Sequence, residues 1–262
     1  MGAEGGLPRP RRRVRPLIAA TAVETRRPAE PERGRYWRVF ISSSGGAMLE
    51  RVDLGEVDYE DARVRMAGWV KERREGLAGD RLFLLSHPPI VTYGPRTSTA
   101  DLPADLGIRA VEVDRGGFAT YHGPGQLVGY LVADIGRHGP VDIVRWMENG
   151  LIAALGRLGF PALRRDTPPG STSLAGVWTP GHHKIASIGM RIRQGVTSHG
   201  FALNVDPDMS AFDRFTVCGL HDVTMTSLRR VADARELPMP SHAEVCGTVA
   251  DSLIAGSTAW SR

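Results

Sequence analysis

Apolar positions along the chain fall into short alternating runs, short continuous runs and a few longer stripes, and each kind predicts a different element. Trp37-Arg-Val-Phe-Ile41 and Glu50-Arg-Val-Asp-Leu54 alternate residue by residue, so each predicts a strand, with Ser-Ser-Ser-Gly-Gly in the connection. From Asp58 to Glu75 the period lengthens. Tyr59, Ala62, Met66, Trp69 and Val70 share one stripe at helical spacing, while Arg63, Arg65, Lys71, Glu72 and Arg73 make a solvated face. Arg81-Leu-Phe-Leu-Leu85 is a continuous run of the length of a buried strand. It ends at His87-Pro-Pro-Ile-Val-Thr-Tyr-Gly94, where two prolines stop ladder hydrogen bonding.

The middle of the chain turns on Asp114-Arg-Gly-Gly-Phe-Ala-Thr-Tyr-His-Gly-Pro-Gly-Gln126. Five of these thirteen residues are Gly or Pro. Its flanks, Ala110–Val113 and Leu127–Ile135, predict strands. A plain turn needs about two to five residues, and this connection is longer. It reads either as a long ordered hairpin loop or as a ligand cradle. Glycine lets backbone N–H groups approach a ligand, and Arg115 and His122 would be the polar ends. The company of Tyr121 and His122 favours the cradle.

Beyond it, Val141, Val144, Met147, Leu151, Leu155 and Leu158 form a helical stripe that Gly159 stops. Residues 166–181 make a loop broken by Gly176-Val-Trp-Thr179. His183–Ile192 and Val196–Val205 predict a hairpin, residues 206–222 an irregular stretch, and a short helix begins near Thr224. Ser241, with Glu244 at the capping-box position, starts a last helix with Val245, Val249, Leu253 and Cys246 inward. Strands and helices do not alternate as βαβ units, so the pattern predicts an α+β fold rather than a doubly wound sheet.

Composition changes this picture in four places. Apolar residues make up 42% of 262, and no run approaches the ~18 that a membrane helix needs. Residues 1–35 carry Pro8, Pro10, Pro16, Pro28 and Pro31 among arginines. They bury too little to fold, so they predict a disordered extension or a mis-assigned start rather than a signal peptide, with the folded domain over 36–262. The net charge of +4 is concentrated there, which argues against nucleic-acid binding and leaves exposed arginines for acidic protein partners. Two cysteines, Cys218 and Cys246, without a CxxC spacing, predict a reducing cytoplasm.

The fourth place is lysine. Of 33 basic residues only Lys71 and Lys184 are lysines, leaving 31 arginines. An arginine in a protein stays charged, whereas a buried lysine can lose its proton and act as a base. Strict alternation puts Lys184 with Ala186, Ile188 and Met190, opposite Ile185, Ser187 and Gly189. Cys218 lies before glycine, outside any apolar stripe. A thiol needs a base or cation to become a nucleophile at neutral pH. The pair reads as a nucleophile with its activator, or as a snorkelling strand lysine and an inert loop cysteine. His122, His182, His183, His199 and His221 with Cys218 lack metal-ligand spacing, and there is no P-loop or G-x-S-x-G elbow.

Taken in order, His87-Pro-Pro with Tyr93-Gly94, Arg115-Gly-Gly-x-x-Thr-Tyr-His-Gly-Pro-Gly-Gln126, Gly176-Val-Trp, Lys184-Ile-Ala-Ser-Ile-Gly189, His199-Gly-Phe-Ala-Leu-Asn-Val205 and Cys218-Gly219 resemble the lipoyl(octanoyl) transferase family. The resemblance runs from about His87 to Leu228. It implies the fold of biotin and lipoate protein ligases, a mixed sheet with surrounding helices. It implies Cys218 as nucleophile and Lys184 as its activating base. It also implies acyl binding by Arg115, Gly116, Gly117, Phe118, Ala119, Thr120, Tyr121 and His122, by Ser187, Ile188 and Gly189, and by Gly200, Phe201 and Ala202. The family usually has proline before the cysteine. Here it is Val217, which bears on the shape of the loop.

The implied reaction moves an octanoyl group from octanoyl-acyl carrier protein to a lysine of a lipoyl domain through a cysteine thioester. The acceptors implied are the lipoyl domains of 2-oxoacid dehydrogenase complexes and the glycine cleavage H protein. No cofactor, ATP or metal is required, and no membrane. Phe118, Tyr121, Ile188 and Phe201 are expected to line an eight-carbon slot, and backbone N–H groups near Gly189 or Gly219 to bind the oxyanion. The alternatives are an ATP-dependent lipoate or biotin ligase and a non-catalytic acyl-domain-binding module. The first would have no use for Cys218 and would carry a basic, glycine-rich adenylate-binding pattern after Arg-Gly-Gly. The second has no need of a Lys184–Cys218 pair.

Overall fold

The computed structural model describes residues 1–2, 38–40, 49–102, 106–220 and 222–257, with the backbone alone for 38–40 and Thr99. Residues 3–35 of the expected extension, the Ser-Ser-Ser-Gly-Gly connection and His221 lie outside the described residues.

The described residues build two sheets. The larger has seven strands in the order β1-β2-β3-β7-β10-β9-β8, and the smaller three in the order β5-β4-β6. Their ranges are β1 Arg38–Phe40, β2 Glu50–Glu56, β3 Arg81–Ser86, β4 Ile90–Tyr93, β5 Ala110–Glu112, β6 Thr120–His122, β7 Gln126–Val132, β8 Gly176–Trp178, β9 Lys184–Arg193 and β10 Val196–Asn204. β2 pairs with β3, and β4 with β5, in parallel; the other pairs are antiparallel. The helices are α1 Tyr59–Arg74, α2 Pro140–Arg157, α3 Leu228–Arg235 and α4 His242–Ser257. The architecture is the α+β fold expected, with one correction. β2, α1 and β3 do form a parallel crossover, because the apolar stripe of α1 packs back on the strands it joins.

Central β7 is buried along its whole length, which explains a near-continuous apolar run where an exposed sheet would alternate. Ala62 and Met66 of α1 cover one face with Phe83, Tyr130 and Val132. Met147, Leu151 and Leu155 of α2 and Val245, Val249 and Leu253 of α4 cover the other. Asp58 caps α1 through the N–H groups of Glu60 and Asp61, and Ser241 and Glu244 form the expected reciprocal cap of α4. Val141, expected inward, is 68% exposed; Ile143 is buried in its place on the first turn of α2. α3 starts at Leu228 with Ser227 as its cap, four residues later than expected, since 224–226 runs alongside Lys184 instead.

Two further differences place the site. The prolines after β3 end that strand as expected, but the chain then forms β4 and starts the second sheet. The segment 114–126 is not a hairpin loop. β5 belongs to the small sheet and β7 to the large one, and within the segment Thr120–His122 forms β6 against β4. The glycine-rich stretch therefore crosses from one sheet to the other. No helix among the described residues is long and apolar enough to cross a membrane.

Candidate active site

Lys184 begins β9, and a bulge decides where it points. Val177 pairs with Ala186, but the next residue, Trp178, pairs with Lys184, so Ile185 is extra. That extra residue reverses the alternation and brings Lys184 to the side of Ser187, where strict alternation puts them on opposite faces. The backbone of Lys184 is clamped by the neighbouring segment. Its N–H donates to the Thr224 carbonyl and its own carbonyl accepts from Thr226, both at 2.9 Å. The side chain is 1% exposed, with Nζ 5.3 Å from the centre of the Trp178 ring.

Cys218 sits in a 3-10 turn, Val217–Gly219, with φ 57° and ψ 17°. A left-handed conformation is uncommon for a residue with a Cβ, and it has to be held by its surroundings. Here the Cys218 N–H donates to the Ala119 carbonyl at 2.8 Å, and Val217 is buried beneath. The turn presents the thiol to β9. Lys184 Nζ lies 3.5 Å from Cys218 Sγ and Ser187 Oγ lies 3.6 Å from it. A thiol with an amine and a hydroxyl at this range can pass its proton to the amine and keep two donors on the resulting thiolate.

Arg115 crosses beneath the glycines. It is buried, and its Nη2 donates to both the Thr92 carbonyl and Thr92 Oγ1 at 2.9 Å, while Nη1 reaches the Gly116 carbonyl at 3.0 Å. Burial holds its guanidinium below its ordinary pKa, against the opposing pull of Tyr59 and Cys218. Thr92 Oγ1 accepts from Arg115, so its hydrogen is free for His122 Nε2, 3.2 Å away. Burial first, then His87 and Arg115, push the His122 pKa well down, so the ring is neutral. His87 Nδ1 donates to the Val57 carbonyl, and its Nε2 accepts from Tyr130 Oη, both at 2.7 Å. Burial lowers the His87 pKa and raises that of Tyr130 well above its usual range.

Lys184, Ser187, Cys218, Arg115, His122 and Tyr130 line a cavity of 470 Å³ at the seam of the two sheets, within the usual size for a small-molecule site. Of the residues expected there, Arg115, Gly116, Gly117, Phe118, Thr120, His122, Lys184, Ser187, Ile188, Gly189, Gly200, Phe201, Ala202 and Cys218 line it. Ala119 and Tyr121 do not. β6 alternates, so Thr120 and His122 face the cavity while Tyr121 points away and packs edge-on against Phe212, 5.4 Å between centres. Ala119 contributes its carbonyl to the cysteine turn instead. Sequence reading missed Tyr59, Tyr130 and Thr92, whose spacing reports only strand or helix stripes. His199, weighed in the sequence only as a metal ligand, lines the cavity as well. Among the described residues, no group of three or more His, Cys, Asp or Glu side chains is arranged to hold a metal ion.

Comparison with known proteins adds sequence and fold. Residues 58–253 match the family model for the lipoyl protein ligase A/B catalytic domain. The octanoyltransferase of Frankia casuarinae is 49% identical over 72% of this chain and 87% of its own length. That of Koribacter versatilis is 39% identical over 70% and 75%. Lipoate-protein ligase A bound with ATP superimposes with a TM-score of 0.61 at 17% identity, covering 80% of this chain and 84% of that one. The bipartite lipoate protein ligase of Thermoplasma acidophilum gives 0.57 at 19%, covering 80% and 84%. At such identities the two ligases speak for the fold alone.

Proposed function

The chain belongs to the octanoyltransferase family, an acyltransferase family of lipoate biosynthesis, and from that premise we propose that it moves octanoyl from a carrier protein to a lipoyl domain through Cys218. Lys184 takes the Cys218 proton. The thiolate attacks the thioester carbonyl on the carrier's phosphopantetheine arm; the bond to the pantetheine sulfur breaks, and that sulfur leaves with the proton held by Lys184. The acyl group is then a thioester on Cys218. A lysine amine of the lipoyl domain attacks it, the Cys218 sulfur leaves, and the amine's surplus proton returns through Lys184 to the thiol. A thioester becomes an amide, so the sequence runs downhill without ATP.

The 3.5 Å approach of the Lys184 amine to the Cys218 thiol, at the wall of the cavity, carries this reading. Arg115, Thr92 and His122 then act as a polar clamp that shapes the glycine cradle. The test is mass spectrometry after mixing with octanoyl-acyl carrier protein and no ATP. One octanoyl adduct per chain is expected, on the peptide holding Cys218. An adduct on Cys246, or full transfer by Cys218→Ala, would overturn the assignment. A ligase would show no adduct without ATP, and a binding module would show none at all.

A further inference from the structure

The far wall of the cavity is about one side chain thick. His199 and Arg191 line both this cavity and a second cleft of 730 Å³, whose other walls include Arg63, Met66, Val70 and Arg74 of α1 and Asp114. His199 is buried and tightly held. Its N–H donates to Met66 Sδ at 3.2 Å, its Nε2 lies 3.4 Å from Asp114 Oδ1, and its ring meets Tyr130 edge-on at 6.1 Å. Asp114 in turn pairs with Arg191. Burial, then Arg115 and Arg191, push the His199 pKa down to about 3, so the neutral ring donates from Nε2 to Asp114. The backbone of His199 has φ 59°, a conformation a β-strand residue with a side chain rarely takes.

Distance fits the same picture. Ala202 pairs across the strands with Ser187, which touches Cys218. From Ala202 to His199 is three strand positions, about 10 Å at ~3.3 Å per residue. That is about the reach of an extended eight-carbon chain built from bonds of ~1.5 Å.

We propose that His199, braced by Asp114 and Arg191, is the stop that sets acyl chain length, and that the cleft behind it is where a longer chain would emerge if the stop were removed. This rests on reading the cavity as the acyl site of a Cys218 transferase. The discrimination is steric: methylenes beyond the stop must displace a ring that the Asp114 contact holds in place, on a backbone that the Met66 sulfur accepts from.

The experiment compares single-turnover acylation of Cys218 by octanoyl- and dodecanoyl-acyl carrier protein in wild type, His199→Gly and Asp114→Ala. Glycine suits φ 59°, so the first variant removes the ring while relieving the backbone. Asp114 is 64% exposed, so the second variant frees the ring without touching the core. Wild type is expected to favour octanoyl by on the order of 10²-fold, with that ratio falling at least tenfold in His199→Gly and severalfold in Asp114→Ala. An unchanged ratio in either variant, with octanoyl acylation retained, overturns the stop and sends the chain toward another part of the lining, such as Pro140 and Val144. Failure of wild type to acylate Cys218 with octanoyl would instead overturn the functional reading, and the stop with it.

Discussion

Single residues set the chemistry here by what they omit as well as by what they supply. Gly176 has φ 135°, and a Cβ there would run into the Ala186 carbonyl and come within 2.7 Å of Lys184 Cε. The missing side chain is the room in which the lysine stem lies. Gly176→Ala is therefore expected to displace the amine from the thiol, slowing acylation on the order of 10- to 100-fold and lowering stability by about 1–3 kcal/mol. Acylation kinetics with a urea melt check this; native rates would show that the stem can move aside. Lys184→Arg asks a different question. Arginine is what this chain uses almost everywhere else, and a guanidinium could still steady a thiolate. It cannot accept and return the proton that the attacking amine must lose. We expect slow self-acylation to survive and transfer to the lipoyl domain to fall by about 10²–10⁴-fold. Separate single-turnover measurements of the two half-reactions decide it, and near-native transfer would remove Lys184 from the proton path.

At the scale of elements, the parts that follow period and punctuation were legible in the sequence. α1, α2 and α4, the β9–β10 hairpin and the cap at Ser241 follow from stripes and local capping chemistry. Ser241→Ala should accordingly cost about 1 kcal/mol in a chemical denaturation curve while leaving acyl transfer alone, because its bonds are local to the end of α4. What the sequence hid depends on contacts between distant segments. The bulge at Ile185 is visible only once β8 is laid against β9, so alternation placed Ser187 on the wrong side of the strand from Lys184. β4 and β6 are four and three residues long, too short for a period to register, and they exist because they pair with each other. The polar groups around Arg115 were legible only as a Gly-rich interruption, since Tyr59 and Thr92 come from elements that read as ordinary packing. Cys218, Lys184, Gly116 and Gly117 stand out in the sequence by residue type and by the resemblance, and they line one cavity.

For the whole molecule, three buried histidines make the fold sensitive to acid. His87, His122 and His199 all have lowered pKa values, that of His199 about 3, with burial the first cause in each. Unfolded, each would take a proton near pH 6.5. Below that pH the unfolded chain binds more protons than the folded one, so stability is full above about 6.5 and falls as pH drops toward the folded values. Each histidine contributes a slope of up to about 1.4 kcal/mol per pH unit in that window. Urea midpoints between pH 7.5 and 5 should fall steeply. A flat profile would mean that these rings charge in place. The two cysteines also differ at this scale. Cys218 opens onto the cavity, whereas Cys246 is half-buried on α4 beside a separate cleft lined by Arg51, Asp53 and Leu84. Burial, then Asp53, push its thiol up to about 11. They are two clocks in one chain. A small alkylating reagent at pH 7 should consume one equivalent rapidly at Cys218, at a rate that reports access to the native cavity. The second equivalent should follow more slowly at Cys246, because its raised thiol pKa leaves far less thiolate at that pH, and the ratio of the two rates ranks the two thiols without any substrate.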